Sequence, residues 1–307
     1  MEIIQDLEKY IPAKRAVVTS GTFDGVHHGH RIILNRLKEI ATQINGETVV
    51  LTYWPHPRFV LQKDFRLKLL STFEEKCHLL EKEGVDKLVR ITFNKEFSQQ
   101  SSETFIREIL VNKIRVEKLV IGYDHRFGRN REGSFEYMSE NAHHYGFEVE
   151  EIPKQTIDDV SISSTKIRNA LSAGDVKLAN QYLGRKYTLK GSVVRGNRLG
   201  REIGFPTANI SIPEVYKLIP RDGVYAVTAL VSENQYDGML NIGFKPTVGG
   251  KRRTVEVHLF EFNQEIYGEE ITLFFHNRLR DEMVFGSIED LRKQLDEDAA
   301  LTRKLLI

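Results

Sequence analysis

The pattern of this chain changes character near Leu183, and that change limits what the chain can fold into. Before it, strand-like apolar runs at residues 16–19, 48–52, 87–91, 118–122 and 148–152 alternate with helical patterns. Ile33, Leu37, Ile40 and Ile44 recur at spacings of three and four, and Asn45-Gly46 stops the helix they mark. Phe73, Cys77 and Leu80 mark a second helix closed by Gly84, and Phe105, Ile106, Ile109 and Leu110 a third. Alternation of this kind predicts a parallel sheet covered by helices on both faces. After the change, strand patterns follow one another at 187–194, 223–231, 236–242, 254–262 and 270–275, with turn signals such as Gly196-Asn197, Asp237-Gly238 and Gly249-Gly250 between them. That spacing predicts a small antiparallel barrel or sandwich. A final helix begins at Ser287, with Asp290 as capping partner and Ile288, Leu291 and Leu295 on its apolar face. A length of 307 residues suits two domains, which the pattern places at 1–184 and 185–307.

Charge and cysteine content exclude several classes of function. Lys and Arg number 44 against 43 Asp and Glu, a net charge of +1, which argues against a broad basic surface for nucleic acid. Small phosphate pockets need only a few residues and stay open. The single cysteine, Cys77, rules out an internal disulfide and a Cys-rich zinc site, and reads as a core residue. The first ten residues carry Glu2, Asp6 and Glu8 with no apolar run, and no stretch approaches the ~20 apolar residues of a membrane span. The expectation is a cytoplasmic chain with small-molecule partners and neither nucleic acid nor membrane. No feature specifies an oligomeric state.

Unusual residues cluster after strand patterns, where open α/β sheets bind ligands. Gly21-Thr22-Phe23-Asp24-Gly25-Val26-His27-His28-Gly29-His30 joins the first strand to the first helix. Gly21 and Gly29 permit close backbone approach, and a helix start offers free N–H groups to an anion. His27 and His30 lie three apart there and can face one triphosphate together, stabilising charge on departing pyrophosphate. A polar turn and a zinc site are the plainer readings, and zinc lacks an evident Cys or Glu partner. Gly122-Tyr123-Asp124-His125-Arg126-Phe127-Gly128 follows another strand, where Asp124 can accept from a ribose hydroxyl or an adenine amine. Ser163, Ser164 and Thr165 open a helix with Lys166 and Arg168 close by. Helix capping explains the hydroxyls, and hydroxyls, N–H groups and a guanidinium together also form a phosphate clamp.

In the second half, Gly191, Gly196 and Gly200 punctuate a basic loop that leads into Gly204-Phe205-Pro206-Thr207-Ala208-Asn209. Such a loop can cradle phosphate with backbone N–H groups, although hairpins share its composition. If extended, Thr207 and Asn209 point their oxygens to one side and can hold Mg²⁺; a Thr/Asn turn explains them equally well. Glu256 lies in an apolar strand pattern, as an ordinary outward Glu or as a general base facing a cavity.

Taken together, these segments resemble two known families. Gly21 to His30, Pro55-His56-Pro57, Gly122 to Gly128 and Ser163 to Arg168 are similar in order and spacing to the GxFDGxHxGH, PHP, GxDFxFG and SSTxIR segments of the adenylyltransferase module of prokaryotic bifunctional riboflavin kinase/FAD synthetases, within the nucleotidyltransferase superfamily. His125 departs from the usual Phe. The second half resembles riboflavin kinase in Gly204 to Asn209, Asn241-Ile242-Gly243 with Pro246-Thr247, the VExH run at Val255, and the run from Arg278 to Phe285. The resemblance implies a Rossmann-like nucleotidyltransferase domain followed by a riboflavin kinase-like barrel with a terminal helix. It implies that Gly21, Phe23, Asp24, Gly29, Asp124, Ser163, Ser164 and Thr165 bind ATP in the first domain, with His27, His30 and Arg168 catalytic. In the second, Gly191, Gly196, Gly200, Gly204 and Pro206 would line an ATP site, Thr207 and Asn209 would hold Mg²⁺, and Glu256 would be the base. Arg280, Glu282 and Phe285 would lie on the flavin side. The implied reactions are ATP-dependent phosphorylation of riboflavin to FMN and adenylylation of FMN to FAD. Rival readings are nucleotidyl transfer to another phosphorylated acceptor, a kinase with an inactive first half, and a flavin carrier without turnover.

Overall fold

The computed structural model describes residues 1–62, 64, 66–123, 126–129, 132–153, 162–196, 199–247 and 250–307. Asp124 and His125 lie outside the described residues, as do Asn197 and Gly249. The chain divides into two compact units, Met1–Ser164 and Thr165–Ile307.

The first unit is built on six parallel strands: β1 (Glu2–Ile4), β2 (Ala16–Gly21), β3 (Thr48–Trp54), β4 (Lys87–Thr92), β5 (Val116–Gly122) and β6 (Glu148–Ile152). Their order is β1-β4-β3-β2-β5-β6. Without β1 this is the 3-2-1-4-5 arrangement of a doubly wound sheet, and the strand order reverses between the parallel neighbours β2 and β5. Both neighbouring strands end in glycine, Gly21 and Gly122, so the switch point opens onto the glycine-bearing loops.

The central strands are near-continuous runs of Val, Leu and Ile because both faces are covered. Val18, Val49, Leu51 and Val89 pack into one core and Val17, Val50, Leu88 and Val120 into the other. Helix α1 (His28–Ile44) covers the second of these with Leu34, Leu37, Ile40 and Ala41 buried, while the predicted Ile33 and Ile44 pack at its margin. It ends where Asn45 turns left-handed at φ 53°, and a Cβ on Gly46 would fall 2.4 Å from the Arg15 carbonyl. Cys77 is a buried member of the same core.

Two features were not legible in the sequence. Strand β1 adds to the sheet edge through three residues, with only Ile4 buried. The third predicted helix forms a π-helix, Phe105–Ile114, after one turn at Ser102–Thr104. Its buried Ile106, Leu110 and Ile114 recur every fourth residue, wider than the α-helical period of 3.6, and an i→i+5 ladder keeps them on one face.

The second unit closes six antiparallel strands into a barrel: β7 (Tyr187–Val194), β8 (Ala208–Ser211), β9 (Gly223–Val231), β10 (Asn234–Thr247), β11 (Gly250–Leu259) and β12 (Glu270–Arg280), in the order β10-β11-β8-β7-β12-β9. Closure removes the unpaired edges that an open sheet would expose. Two helices, Ser164–Ala173 and Val176–Leu183, precede the barrel, and Asn180 ties the second to it through bonds to Phe275 O (2.8 Å) and Tyr187 N (2.7 Å). The terminal helix Ile288–Leu306 is capped by Ser287, whose Oγ accepts from Asp290 N at 3.1 Å.

Candidate active sites

In the first unit the chain leaves β2 through a strained turn. Phe23 and Val26 both have positive φ, 47° and 39°, which side-chain-bearing residues avoid, β-branched Val above all. Conformations of this kind persist where surrounding bonds over-determine them. Here the bonds converge on Asp24, which is 3 % exposed. Its Oδ1 accepts from Leu70 N (2.9 Å) and Ser71 N (3.2 Å), and its carbonyl accepts from Ser164 Oγ (3.0 Å). Ser71 Oγ in turn accepts from Gly25 N at 3.1 Å.

Lys76 completes the support. Its Nζ donates to Thr52 Oγ1 (3.3 Å), and the Thr52 hydroxyl donates to Thr22 O (3.4 Å). Burial pushes the Lys76 ammonium down to about 8, and the Asp24 carboxylate pulls it part of the way back.

The turn delivers two imidazoles to the start of α1. His27 is the N-cap, and its Nδ1 accepts from His30 N at 3.4 Å. An accepting Nδ1 leaves the ring proton on Nε2. The His27 and His30 rings stack with centroids 3.7 Å apart, so the predicted pair is one surface, while His28 is exposed on another side of the helix. Gly29 is buried between them.

The other predicted residues of this unit divide. The Phe23 side chain is buried, 2 % exposed, with its ring 5.0 Å from that of His30. Asp24, expected at the nucleotide, bonds the 70–71 amides through its Oδ1. Ser163 is exposed and Ser164 reaches Asp24. Beyond the division, Arg168 Nη2 donates to Thr165 Oγ1 at 3.4 Å.

The second unit brings its candidates together on two cavities. One, of about 460 Å³, is lined by Gly196, Pro206, Thr207, Asn209 and the segment 262–267, which includes Phe262 and Tyr267. The other, of about 330 Å³, is lined by Thr207, Asn209, Asn241, Glu256, His258, Arg280, Glu282 and Phe285, with an apolar floor of Val224, Met239 and Leu240. Thr207 and Asn209 belong to both walls.

Strand pairing explains this convergence. Glu256 on β11 lies opposite Asn209 on β8 and opposite Asn241 on β10. Directly paired residues put their side chains on one face, so the carboxylate stands between two amides. Glu256 is 8 % exposed, and it faces the cavity, not solvent. His258, two residues along the same face, makes a 2.7 Å bond from Nδ1 to Pro206 O. A carbonyl only accepts, so Nδ1 carries the proton and the ring pins the loop before Thr207. Burial holds the His258 ring below its ordinary value, with the Pro206 bond opposing.

The glycines also divide. A Cβ on Gly196 would fall 2.1 Å from Asn209 Nδ2, and one on Gly200 2.2 Å from Phe205 O, so both permit close approach at the cavities. Gly204 is exposed and has φ +84°, and it serves the turn. Gly191 lies within β7, where its bare Cα admits Ser211 O 2.4 Å from the missing Cβ; its task is barrel packing and it lines neither cavity. Asn241, His258 and the segment 262–267 were missed by sequence reading. Asn241 stood within a quoted motif, and the even spacing of Glu256 and His258 was the available signal for the other side chain.

Comparisons with known proteins agree with this division. Residues 11–166 match the family model for FAD synthetase and residues 183–306 that for riboflavin kinase. Among relatives, the bifunctional riboflavin kinase/FMN adenylyltransferase of Haemophilus influenzae is 38% identical over 283 residues, 92% of this chain and 91% of that protein. The protein of the same name from Listeria monocytogenes is 40% identical over 289 residues, covering 94% and 91%. That from Escherichia coli K12 is 36% identical over 294 residues, covering 95% and 93%. A crystal structure described as a macrolide-efflux protein from Streptococcus pneumoniae superposes with a TM-score of 0.88 at 30% identity over 98% of both chains. Among the described residues of this chain, no helix is long and apolar enough to cross a membrane.

Proposed function

Because this chain belongs to the bifunctional riboflavin kinase/FMN adenylyltransferase family, we infer that its barrel phosphorylates riboflavin to FMN and its α/β unit adenylylates FMN to FAD. The observation that carries the barrel assignment is the placement of Thr207 and Asn209 between two cavities, with Glu256 in the second. ATP in the larger cavity directs its γ-phosphoryl group past these two residues toward a flavin hydroxyl in the smaller one. The apolar floor there suits an isoalloxazine ring, and Arg280, Glu282 and Phe285 lie on its wall.

Glu256 takes the proton of the riboflavin 5′-hydroxyl as its oxygen bonds to the γ-phosphorus, and ADP leaves with the bridging oxygen. Asn209 and Asn241 flank the carboxylate on the paired strands. The donor set suits a hard cation: Thr207 and Asn209 offer neutral oxygens, and phosphate and water oxygens would complete the shell. These two residues would hold Mg²⁺, which supplies neutralisation of phosphate charge when bound.

In the α/β unit, a phosphate oxygen of FMN attacks the α-phosphorus of ATP and pyrophosphate leaves. No protein nucleophile is required, because the attacking oxygen is already anionic. Catalysis is positioning and charge stabilisation. The stacked His27 and His30, with the amide groups of the α1 start, present donors to the polyphosphate, and Gly21 admits it to the backbone.

Purified protein incubated with riboflavin, ATP and Mg²⁺, then chromatographed over time, tests the reading. FMN followed by FAD is expected. FMN alone selects a monofunctional kinase, and absence of both products selects a flavin carrier.

A further inference from the structure

The terminal helix buries a carboxylate that the proposed chemistry does not use. Its buried residues are Asp298, Ala299 and Thr302, and Asp298 is 3 % exposed. An ionised group in such a place needs a compensating partner. That partner is Arg280, at the end of β12: its Nε donates to Asp298 Oδ1 (3.0 Å) and its Nη2 to Oδ2 (2.7 Å), a two-pronged pair. Gln294 Nε2 adds a bond to Oδ1 at 3.1 Å.

The same guanidinium grips the segment that follows it. Arg280 Nη1 donates to Asp281 O at 3.0 Å, and its central carbon lies 5.9 Å from the Phe285 ring. Glu282, between these two contacts, closes onto β10, where a Cβ on Gly243 would fall 1.6 Å from its Oε1. Arg280, Glu282 and Phe285 all face the smaller cavity. With its fork occupied by Asp298, Arg280 has one remaining face for a ligand, and its rotamer is set by a helix outside the barrel wall.

We propose that Asp298 is a positioning residue for the flavin substrate, acting through Arg280 to hold residues 281–285 against the smaller cavity. The inference rests on the kinase reading of the barrel. Asp298 touches no substrate. It decides whether the wall carrying Glu282 and Phe285 is formed before riboflavin arrives. Losing that order raises the concentration of riboflavin needed while leaving the Glu256 chemistry intact once the site is filled.

Asp298→Asn in the full chain keeps shape and one acceptor but removes the charge. The expected result is a KM for riboflavin raised about tenfold or more, with kcat and the KM for ATP changed by less than about threefold. Conversion of supplied FMN to FAD should be unchanged, which controls for dose, and a retained kcat for FMN formation controls for folding of the barrel. Asp298→Glu, which restores the charge, should recover part of the loss. Riboflavin binding followed by quenching of flavin fluorescence should weaken in parallel. An unchanged riboflavin KM, equal rises for both substrates, or a fall confined to kcat would overturn the proposal. Should Asp298→Asn fail to fold, Gln294→Met removes the second tie to Asp298, and a selective rise of about twofold is then required. Failure of the wild-type chain to form FMN would instead overturn the kinase reading itself.

Discussion

On the proposed reading the two units meet one problem, holding an anion, by different means. In the α/β unit the site is a short turn locked from beneath: Asp24, Ser71, Thr52 and Lys76 are all buried, and their bonds hold Phe23 and Val26 in left-handed conformations. In the barrel, Thr207, Pro206 and Gly204 are exposed, and the geometry comes from a four-residue strand between two longer ones. A helix N-terminus is a fixed field that needs only a rigid approach. A barrel has no such field, so it must gather side chains from neighbouring strands by register. The first site should therefore depend on its buried supports as well as on its imidazoles, and the second on the residues that line it.

The largest effect that tests this contrast is at the barrel. Glu256→Ala should lower FMN formation by about 10³-fold, as loss of a general base does, while supplied FMN is still converted to FAD. Chromatography of both half-reactions reads the outcome, and loss of both in a folded variant would break the separation of sites. His30→Ala should do the converse. FAD formation should fall by about 10²-fold while FMN accumulates from riboflavin.

A smaller effect concerns the buried support. The Lys76 ammonium is lowered from 10.5 to about 8, so the folded protein releases this proton before the unfolded chain does. Across that window the unfolded state binds more protons, and stability rises with pH. The first unit should gain on the order of 2 kcal/mol between pH 8 and 10. Lys76→Met should abolish that part of the slope. Tyr53, whose burial raises it, is present in both chains and cancels in the comparison, whereas Cys77, raised by burial and lowered by the Lys76 charge, loses that second influence in the variant. Urea unfolding followed by hydrogen exchange in β2 measures it, and equal slopes in the two chains would remove Lys76 from the account.

The smallest effect separates glycines by task. Gly204→Ala meets open space and should cost only about 1 kcal/mol through its φ, with kinase activity retained. Gly196→Ala should instead push Asn209 aside and lower kinase activity about tenfold. Similar losses from both would show that the loop, not the contact with Asn209, sets the site.

Much of this molecule was legible in its residues because the relevant signals are local. The strands of the first sheet read as continuous apolar runs, and Gly21 to His30 combines glycine, helix start and imidazole in ten positions. Thr207 and Asn209 share a side because alternation along a strand is a local property. Local pattern says less about where each side chain of such a segment turns. Phe23 and Asp24 sit inside the phosphate-like segment, yet their side chains turn to the core and to the 70–71 amides. Gly191 belongs to a glycine-rich stretch and packs the barrel. β1 and the π-helix escaped because three residues carry too little pattern, and because periods of 3.6 and about four differ little over ten residues.

By itself the sequence determined the two-part architecture, the place of each glycine-bearing segment proposed to bind anions, and the residue types available to it. Hydrophobic periodicity and turn chemistry act over a few neighbouring residues, so they can be read along the chain. Only the tertiary structure decided which partners those residues meet. Asn209, Asn241 and Glu256 come from three strands and become neighbours through barrel register. Arg280 and Asp298 are eighteen residues apart and pair because the terminal helix packs back on the barrel. Such pairings depend on distance in space, and one-dimensional spacing carries no trace of it.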